Sequence, residues 1–430
     1  MTDRKQGEIM CDTLYKKIPN GYLFAKNSDR SPNEPNLTLF IPAKVHKDKE
    51  LKCTYITIPQ INKTYGCVIV RPSWTFGAEM GINDQGVSIG NEAVFTRSKA
   101  KKDPSLIGMD YVRLGLERAK SAKEAIEVIT KLLETYGQGG NCGFDKPFYY
   151  DNSYLIADYK EGWILETSGK NWVAKPIDDI GNISNRLSIH KEATLKKCDI
   201  ETNFFKDNTE PIYTYFSGSK ARSAQGHCGL KALTDNDLIK LRSLMRSHHP
   251  KDLDHLFKKG SIRSLCMHYS MLGDHTTSSM VLEATTAGTI MFLTSASAPC
   301  FRLFKPAFFD EHEHIVFNDE QAAFQYWLSH EKITRALYAG LIDESEYRSR
   351  LKHSQRQIDT LTEDYLRSPA NENKGKLVKD CLEIEKEFIE PYRNLVINDI
   401  NDHSPKLWKR KNGFLGKNVF QNDLPSRMVK

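Results

Sequence analysis

The order of strand-like and helix-like segments constrains this chain more than any other feature. Pro19-Asn20-Gly21 separates two short apolar segments, and Asn-Gly between such segments is the strongest short-range signal for a hairpin. The regular strand–helix alternation that predicts a parallel sheet is missing. The order therefore predicts an α+β fold of mostly antiparallel sheets covered by helices. Further strands are expected at 67–70, 86–90, 154–158, 163–167, 172–174 and 289–294.

Two helices interrupt the strands. The first is expected at about 106–119, and the second begins at Ser121, whose hydroxyl can cap it. Glu124 completes a capping box, and Gly137 follows the last residues of an apolar helical periodicity. After about Asp310 the chain is charged and has few strand-forming residues. Helices are expected there at 319–338, 343–366 and 375–396.

Composition excludes several classes of protein. Of 430 residues, 39% are apolar and 27% are charged, which is typical of a globular chain. No apolar run has the length of a membrane-spanning helix, and the first ten residues lack the apolar stretch of a signal peptide. Nine scattered cysteines without a CxxC pair do not indicate a disulfide framework. We therefore expect a cytosolic protein.

A basic tail accounts for the net charge of +6. From Pro405 onward there are seven lysines and arginines and one acid, Asp423, so the rest of the chain is balanced. This distribution does not resemble a nucleic-acid surface spread over a fold. We expect a solvated tail, with docking to an anionic partner as the alternative.

Several motifs for catalysis or metal binding can be set aside. The chain has no P-loop, no GxGxxG and no HExxH. His248-His249 and the segment 310–314 could bind a metal, but no cysteine or histidine partners stand at zinc spacing, so no metal site is expected. Residues 86–90 match GxSxG, yet an extended segment follows, whereas a nucleophile elbow leads into a helix. We therefore expect Ser88 to lie in an ordinary strand.

Cys11 is a stronger candidate than Ser88 for a catalytic nucleophile. It opens the first strand, directly after a short polar decapeptide. A cut at the Met10–Cys11 bond would give Cys11 a free α-amine. The ordinary pKa of such an amine, about 8, suits a proton acceptor for the neighbouring thiol. From the residues alone, an ordinary buried cysteine is the alternative.

A series of segments resembles the dipeptidase-A and secernin family of cysteine-dependent N-terminal-nucleophile hydrolases, and the secernins most of all. The resemblance covers about residues 11 to 310. Many matches in one order are more specific than any single match. In chain order they are CDTL at 11–14, FAKNSDR at 24–30, CTYI at 53–56, RPSW at 71–74, GAEMGIN at 77–83, GNEA at 90–93, GMDYVRLGLER at 108–118, GQGGN at 137–141, WILET at 163–167 and FKP at 304–306.

The resemblance implies a four-layer αββα fold of the N-terminal-nucleophile hydrolase type, made by autoproteolysis of a precursor. It divides the chain into a propeptide at 1–10, a hydrolase domain at 11–310 and a helical C-terminal extension with the basic tail at 311–430. It also implies that no metal or organic cofactor takes part in the reaction.

The resemblance also implies roles for four residues. Cys11 is the implied nucleophile, with its own α-amine as base, and Asp29 is the carboxylate that holds this amine. Asn91 and Asn185 are the implied side-chain donors to the oxyanion. From the residues alone, Asp29 could instead end a strand through an Asx turn, and both asparagines could be turn residues.

Two further residues are candidates for substrate binding. Distant bile-salt and penicillin-V acylases have an arginine where this chain has Lys26. Lysine keeps the positive charge that lowers a thiol pKa but loses the two-pronged donor geometry. A second arginine of those enzymes cannot be located in this sequence. His275 could reach a substrate carboxylate, with a structural loop histidine as the alternative.

Together these features predict a cytosolic cysteine amidohydrolase of the dipeptidase type, which forms a thioester on Cys11 and then hydrolyses it. Dipeptides, other N-acyl amino acids and small acyl amides all fit as substrates, and the formation of homo-oligomers is left open. The alternative is a secernin-like regulatory or interaction protein, related to exocytosis, with an idle site. The presence of both Cys11 and Asp29 favours the enzyme.

Overall fold

The structure, a computed structural model, describes residues 10–98, 102–197, 203–234, 237–271, 274–309, 316–367 and 371–418. The strands are β1 (Met10–Ile18), β2 (Gly21–Arg30), β3 (Asn36–Ile41), β4 (Lys44–Val45), β5 (Glu50–Lys52), β6 (Thr57–Pro59), β7 (Lys63–Thr64), β8 (Cys67–Pro72), β9 (Met80–Asn83), β10 (Ser88–Val94), β11 (Asp151–Ala157), β12 (Gly162–Ser168), β13 (Asn171–Ile177), β14 (Ile180–Ile183), β15 (Leu195–Lys196), β16 (His275–Thr285), β17 (Gly288–Leu293) and β18 (Lys305–Ala307). The helices are α1 (Gly108–Arg118), α2 (Ala122–Tyr136), α3 (Phe204–Asn208), α4 (Pro211–Phe216), α5 (Ser219–Lys231), α6 (Leu238–Met245), α7 (Leu256–Lys259), α8 (Glu320–Ala339), α9 (Glu344–Arg367), α10 (Asn371–Ile389), α11 (Ile397–His403) and α12 (Lys406–Asn418).

Two large antiparallel sheets form the centre of the fold. One has the strand order β14-β1-β2-β16-β17-β18, and the other has the order β15-β13-β12-β11-β10-β9-β8-β3. The sheets lie face to face, since β1 packs against β10 and β11. Helices α1 and α2 cover the outer face of the larger sheet, and α5 and α6 cover the outer face of the smaller one. The expected four-layer αββα arrangement is therefore confirmed.

Strands β1 and β2 form the hairpin that the sequence predicts. Their register runs from Ile18 opposite Gly21 at the turn to Met10 opposite Asp29 at the far end. Asn20, in the turn, has a φ of 58°, a left-handed conformation that asparagine tolerates better than most residues. The hairpin thus places Cys11 beside the last residues of β2.

Helix α2 begins and ends where the sequence predicts. The Ser121 hydroxyl accepts a hydrogen bond from the backbone N–H of Glu124 at 3.2 Å. The Glu124 carboxylate reaches the N–H of Lys120 at 2.8 Å, one residue before the position that a capping box uses. Gly137 follows the helix with a φ of 73°, which a residue with a Cβ rarely adopts. Local signals therefore determine both ends of this helix.

The GxSxG segment does not form a nucleophile elbow. Ser88 begins β10 and pairs with Ile82 on one side and Ala157 on the other. Its hydroxyl lies 2.6 Å from that of Tyr22 in the facing sheet. Because a strand continues to Val94, Ser88 is part of an ordinary strand, as expected.

The C-terminal helices form as predicted, but the basic tail differs from the expectation. Helix α8 packs against β3, and α10 packs against β18. Residues expected to be solvated form α12, in which Trp408 is fully buried. Burying a large indole is favourable, so the first half of the tail is packed on the fold.

Some expectations concern residues that are not described. These are residues 1–9 of the predicted propeptide, 310–315 at the predicted domain boundary and 419–430 of the tail. The division into propeptide, hydrolase domain and extension stays a prediction. Over the described ranges, none of the helices combines the length and the apolar character that a membrane-spanning segment needs.

Gly90 allows the two sheets to approach each other near Cys11. A Cβ atom at this position would lie 2.7 Å from Lys26 Cδ and 2.9 Å from Thr13 Oγ1. We expect Gly90→Ala to lower the free energy of unfolding by about 1 to 3 kcal/mol, because overpacking forces buried neighbours out of their rotamers. Denaturant unfolding followed by circular dichroism measures this change.

Gly375 in α10 provides the matched control. A Cβ there would meet no atom within 4 Å, so Gly375→Ala should raise the free energy of unfolding by about 0.5 to 1 kcal/mol. Equal stability of Gly90→Ala and the wild type would contradict the close approach of the sheets.

Candidate active site

Cys11 lies in β1 between the two sheets and is only 1% exposed. Its backbone N–H donates to Asn185 Oδ1 at 2.9 Å. Its thiol donates to Glu79 Oε2 at 3.5 Å, and its sulfur accepts from the backbone N–H of Asp29 at 3.4 Å. Both the nitrogen and the sulfur of this residue are therefore held by hydrogen bonds from other elements.

Burial and neighbouring charges determine the state of the Cys11 thiol. Burial raises the pKa of the thiol well above its ordinary value, and the ammonium of Lys26 opposes this rise. The carboxylates of Glu79, Asp29 and Glu92 raise the thiol pKa further. In the uncut chain the sulfur is therefore protonated, and a base must remove this proton before the sulfur can attack a carbonyl.

Asp29 is fully buried near the end of β2, opposite Met10. Its Oδ1 accepts from the hydroxyl of Thr276 at 2.5 Å, and its Oδ2 has no hydrogen-bond partner within the described residues. Burial raises the pKa of Asp29 well above its ordinary value, and the guanidinium of Arg222 opposes this. A buried carboxylate oxygen without a donor is rare and can accept one further donor or cation.

Asn185 connects the Cys11 nitrogen to Arg222 on α5. Asn185 Oδ1 accepts from Arg222 Nη2 at 2.6 Å as well as from Cys11, and Asn185 Nδ2 donates to the carbonyl of Ala93 at 2.9 Å. Arg222 Nε lies 2.9 Å from Asp12 Oδ2. The structure thus brings Asn185 to the nitrogen of Cys11, while its role as an oxyanion donor stays a prediction.

Lys26 is fully buried between the sheets. Its ammonium donates to the backbone carbonyl of Asn91 at 2.7 Å and lies 3.4 Å from Glu92 Oε1. Burial lowers the pKa of Lys26, but attraction to Cys11 in its thiolate form and to the Glu92 carboxylate outweighs burial and raises this pKa. Lys26 therefore carries a positive charge that acts on the sulfur, and its contact with substrate stays a prediction.

The side chain of Asn91 bonds to a residue other than Cys11. Asn91 Nδ2 donates to Asn152 Oδ1 at 3.1 Å, and Asn91 Oδ1 has no hydrogen-bond partner in the described parts of the chain. The next residue, Glu92, faces β1 and accepts from the hydroxyl of Thr13 at 2.5 Å. Because side chains alternate along a strand, Asn91 faces the other side of the sheet. Its role as an oxyanion donor stays a prediction.

His275 begins β16 and is fully buried, so it is a strand residue rather than the loop residue considered as the alternative. Its ring centroid lies 6.1 Å from that of Tyr338 and 5.7 Å from that of Trp408. Burial lowers the pKa of His275 well below its ordinary value, so the ring is neutral. Its contact with a substrate carboxylate stays a prediction.

A cleft of about 770 Å³ opens near these residues. Glu34 lines it and pairs with Arg30 at 2.6 Å; Arg30 in turn pairs with Glu79 at 3.2 Å, next to the sulfur. The other lining residues come from the segment after β2, from the segments before β11 and β16, and from α12, whose contribution includes Lys406 and Arg410. The basic helix therefore forms part of the cleft.

Three residues of this site are not evident as site residues from the sequence alone. Glu79 and Glu92 lie inside segments that carry the family resemblance, and these segments could have pointed to both residues. Arg222 has no such signal. It is 37 residues from Asn185 along the chain and reaches it only because α5 packs on β1 and β14.

The pKa of Glu92 predicts how stability depends on pH. Burial raises this pKa from 4.5 to about 7, so between these values the folded chain holds a proton that the unfolded chain has lost. The free energy of unfolding should therefore fall as pH rises through this window. The glutamine in Glu92→Gln cannot titrate. The free energy of unfolding of this variant should therefore fall by about 1 to 3 kcal/mol less across this pH window than that of the wild type.

Denaturant unfolding at a series of pH values measures this slope. Glu127→Gln, on the exposed side of α2, should keep the wild-type slope. The assignment fails if Glu92→Gln and Glu127→Gln give the same pH dependence.

Three solved structures are similar to this chain at low identity. The penicillin V acylase of Agrobacterium tumefaciens is 14% identical, with a TM-score of 0.38 over 69% of this chain and 85% of that one. A variant of the conjugated bile acid hydrolase from Clostridium perfringens is 13% identical, with a TM-score of 0.41 over 66% and 89%. The N-acylethanolamine-hydrolyzing acid amidase ortholog of Caenorhabditis elegans is 12% identical, with a TM-score of 0.33 over 56% and 87%.

Sequence relatives cover part of the chain. The probable dipeptidase B of Lactococcus lactis subsp. lactis (strain IL1403) is 31% identical over 118 residues, which are 24% of this chain and 23% of that protein. The chain thus spans less than a quarter of the length of this curated relative. Residues 23–202, less than half of the chain, match the model of peptidase family C69. These matches confirm that the chain resembles the dipeptidase-A and secernin family, peptidase family C69, over the part that they cover.

Proposed function

We propose that this protein is a cysteine amidohydrolase that cleaves the amide bond of dipeptides or similar small N-acyl substrates, with Cys11 as the nucleophile. The observation that supports this most is that the nitrogen of Cys11 bonds to Asn185, while its sulfur bonds to Glu79 and Asp29. A cysteine that only fills space needs apolar neighbours, and this one has charged neighbours. The likeness to family C69 and to a probable dipeptidase supports the same activity.

The mechanism requires a cut between Met10 and Cys11, because an amide nitrogen cannot accept a proton. In the uncut chain, Glu79 is within reach of the thiol proton. The sulfur would attack the Met10 carbonyl, the peptide C–N bond would break, and the nitrogen would take up a proton. Water would then hydrolyse the thioester, which releases residues 1–10 and leaves Cys11 with a free α-amine.

In turnover the α-amine takes the thiol proton, and the sulfur attacks the substrate carbonyl. The leaving amine takes this proton as the C–N bond breaks, and water then hydrolyses the thioester. Asn185 Oδ1 and the unpaired Oδ2 of Asp29 would hold the ammonium, and Lys26 would stabilise the thiolate. The oxyanion donors proposed from the resemblance are Asn91 and Asn185.

The cleft beside the site suits a zwitterionic substrate. Lys406 and Arg410 are exposed cations on its α12 side, and Asp274 is an acid in its lining. A dipeptide carries one ammonium and one carboxylate, so each of its charges has a counterpart there. This composition favours dipeptides among the candidate substrates.

We also propose a cytosolic location. The eight cysteines within the described ranges are all free thiols, and seven of them are buried. A reducing compartment keeps thiols in this state.

Intact-mass measurement tests the cut and the nucleophile together. Active wild-type protein should begin at Cys11. Cys11→Ala should stay full length, keep its circular dichroism spectrum and lose dipeptide hydrolysis by at least about 1000-fold, because it lacks the reacting sulfur. Active protein that still carries residues 1–10 would refute the amine as base.

Glu79→Gln distinguishes the proton acceptor proposed for the cut, the Glu79 carboxylate, from the one proposed for turnover, the α-amine of Cys11. A glutamine cannot take the thiol proton, so the cut should be about 100-fold slower than in the wild type, while Glu127→Gln should be cut normally. In a shortened chain that begins with methionine followed by Cys11, removal of the methionine supplies the amine, and Glu79→Gln should keep most of its turnover. Correctly cut wild-type protein that hydrolyses no dipeptide or N-acyl amino acid would favour the regulatory protein with an idle site.

Substrate recognition by α12 can be tested with Arg410→Ala. This variant should raise KM for dipeptides with a free C-terminal carboxylate about three- to tenfold, because one cation of the cleft is lost. The KM for C-terminally amidated dipeptides, which lack this carboxylate, should stay at the wild-type value. Lys409→Ala is the control, since Lys409 is exposed on the same helix but does not line the cleft. Equal KM values for both variants would contradict a role of α12 in binding.

A further inference from the structure

Four metal-ligating side chains converge at a place that takes no part in the proposed reaction. They are His248, Cys266, His268 and Cys300, and one ligand atom of each lies within 4.8 Å of all the others. His248 follows α6, Cys266 and His268 lie between α7 and β16, and Cys300 lies in a short 3-10 helix. Two thiols and two imidazoles are the donor set of a Cys2His2 zinc site.

The distances within this cluster fit a tetrahedral ion. Zinc bonds of about 2.0 to 2.1 Å to nitrogen and 2.3 Å to sulfur place tetrahedral ligand atoms about 3.3 to 3.8 Å apart. His248 Nε2 and His268 Nε2 are 3.0 Å apart. The sulfur of Cys300 is 3.4 Å and that of Cys266 is 3.7 Å from His268 Nε2. Two of these distances match the tetrahedral spacing and the third is slightly shorter, and all four ligand atoms lie within 4.8 Å of one another, so small side-chain shifts would let one ion contact all four.

The environment of His268 supports metal binding by its Nε2 atom. Its Nδ1 is hydrogen-bonded to the hydroxyl of Tyr338, on α8. When Nδ1 carries the ring proton and donates it to this hydroxyl, Nε2 presents a lone pair to the cluster. A polar partner on the far nitrogen is the usual way in which a metal-bound histidine is oriented.

Burial and charge indicate a structural rather than a catalytic ion. Cys266, His268 and Cys300 are buried and His248 is half-buried, so four protein ligands leave no open position. Two thiolates neutralise a divalent ion, so the complex adds no net charge to the interior. His248 also lines a cleft of about 500 Å³, through which an ion can enter.

We propose that His248, Cys266, His268 and Cys300 bind one Zn²⁺ ion as a structural site. On binding, both thiols lose their protons to solvent, and four zinc–ligand bonds form without any redox change. The four ligands do not have the spacing of a zinc motif in the sequence, because His248, Cys266 and Cys300 are 20, 2 and 32 positions away from His268. The fold, rather than a spacing in the sequence, assembles the ligands.

The ion would also support the active site. Met267, between two of the ligands, donates its backbone N–H to Thr276 Oγ1 at 2.8 Å. The Thr276 hydroxyl in turn donates to Asp29 Oδ1 at 2.5 Å. The zinc site therefore anchors the segment that positions Asp29, and Asp29 lies next to Cys11.

Metal analysis of the untagged full-length protein, purified with a thiol reductant and no added metal, tests the proposal. We expect about one zinc per chain in the wild type. Cys266→Ser/Cys300→Ser should lose at least about tenfold in bound zinc. Cys381→Ser, at another buried cysteine, and Cys11→Ala should keep the zinc. Since Cys11→Ala is inactive under the proposed function, zinc content and hydrolysis are tested separately.

A second measurement covers the case in which the double variant does not fold. Removing zinc from the wild type with a chelator should lower its melting temperature, and Zn²⁺ but not Mg²⁺ should restore it. Tyr338→Phe should bind zinc about tenfold more weakly or worse, because it loses the hydrogen bond that orients His268. Wild-type protein that contains no zinc and takes up none after reduction would overturn the proposal, as would a metal-free Cys266–Cys300 disulfide in fresh protein.

Discussion

The arrangement around Cys11 depends on buried charged groups that have partners of opposite charge. Lys26 pairs with Glu92, Arg222 pairs with Asp12, and Arg30 pairs with two acids, Glu34 and Glu79. An unpaired buried charge is strongly destabilising. The two sheets and α5 can therefore pack stably only in an arrangement in which each buried charge contacts a partner of opposite charge. This requirement constrains the register of β1 with β2 inside their own sheet, because a shift by one residue would turn Asp12 or Lys26 to the opposite face of that sheet.

Burial holds the Cys11 thiol in its protonated form, and the nearby acids Glu79, Asp29 and Glu92 raise its pKa further. Asp29 Oδ2 has no donor among the described residues. In the proposed mechanism, the cut before Cys11 replaces an amide N–H by an ammonium beside these acids. One covalent change would therefore supply both the missing cation and the base of the reaction.

The C-terminal helices take part in the construction of the site. Arg335 on α8 donates to the carbonyl of Pro32 and to Asn33 Oδ1, in the segment that follows β2 and lines the cleft. It also donates to Asn412 on α12 at 2.7 Å. One buried guanidinium thus joins α8, α12 and the edge of the cleft. The proposed zinc cluster adds a second connection, through Tyr338 and His268.

The sequence by itself determined the features that depend on neighbouring residues. The turn at Asn20-Gly21, the cap at Ser121 and the strand at Ser88 could all be predicted, because backbone conformation and capping act over a few residues. The family resemblance pointed to Cys11, Asp29 and Asn185. Only the tertiary structure decided which charges meet the sulfur, where α12 packs and which cysteines and histidines converge. Those contacts join residues that are far apart in the chain, and they depend on how sheets and helices pack, which no local pattern of residues encodes.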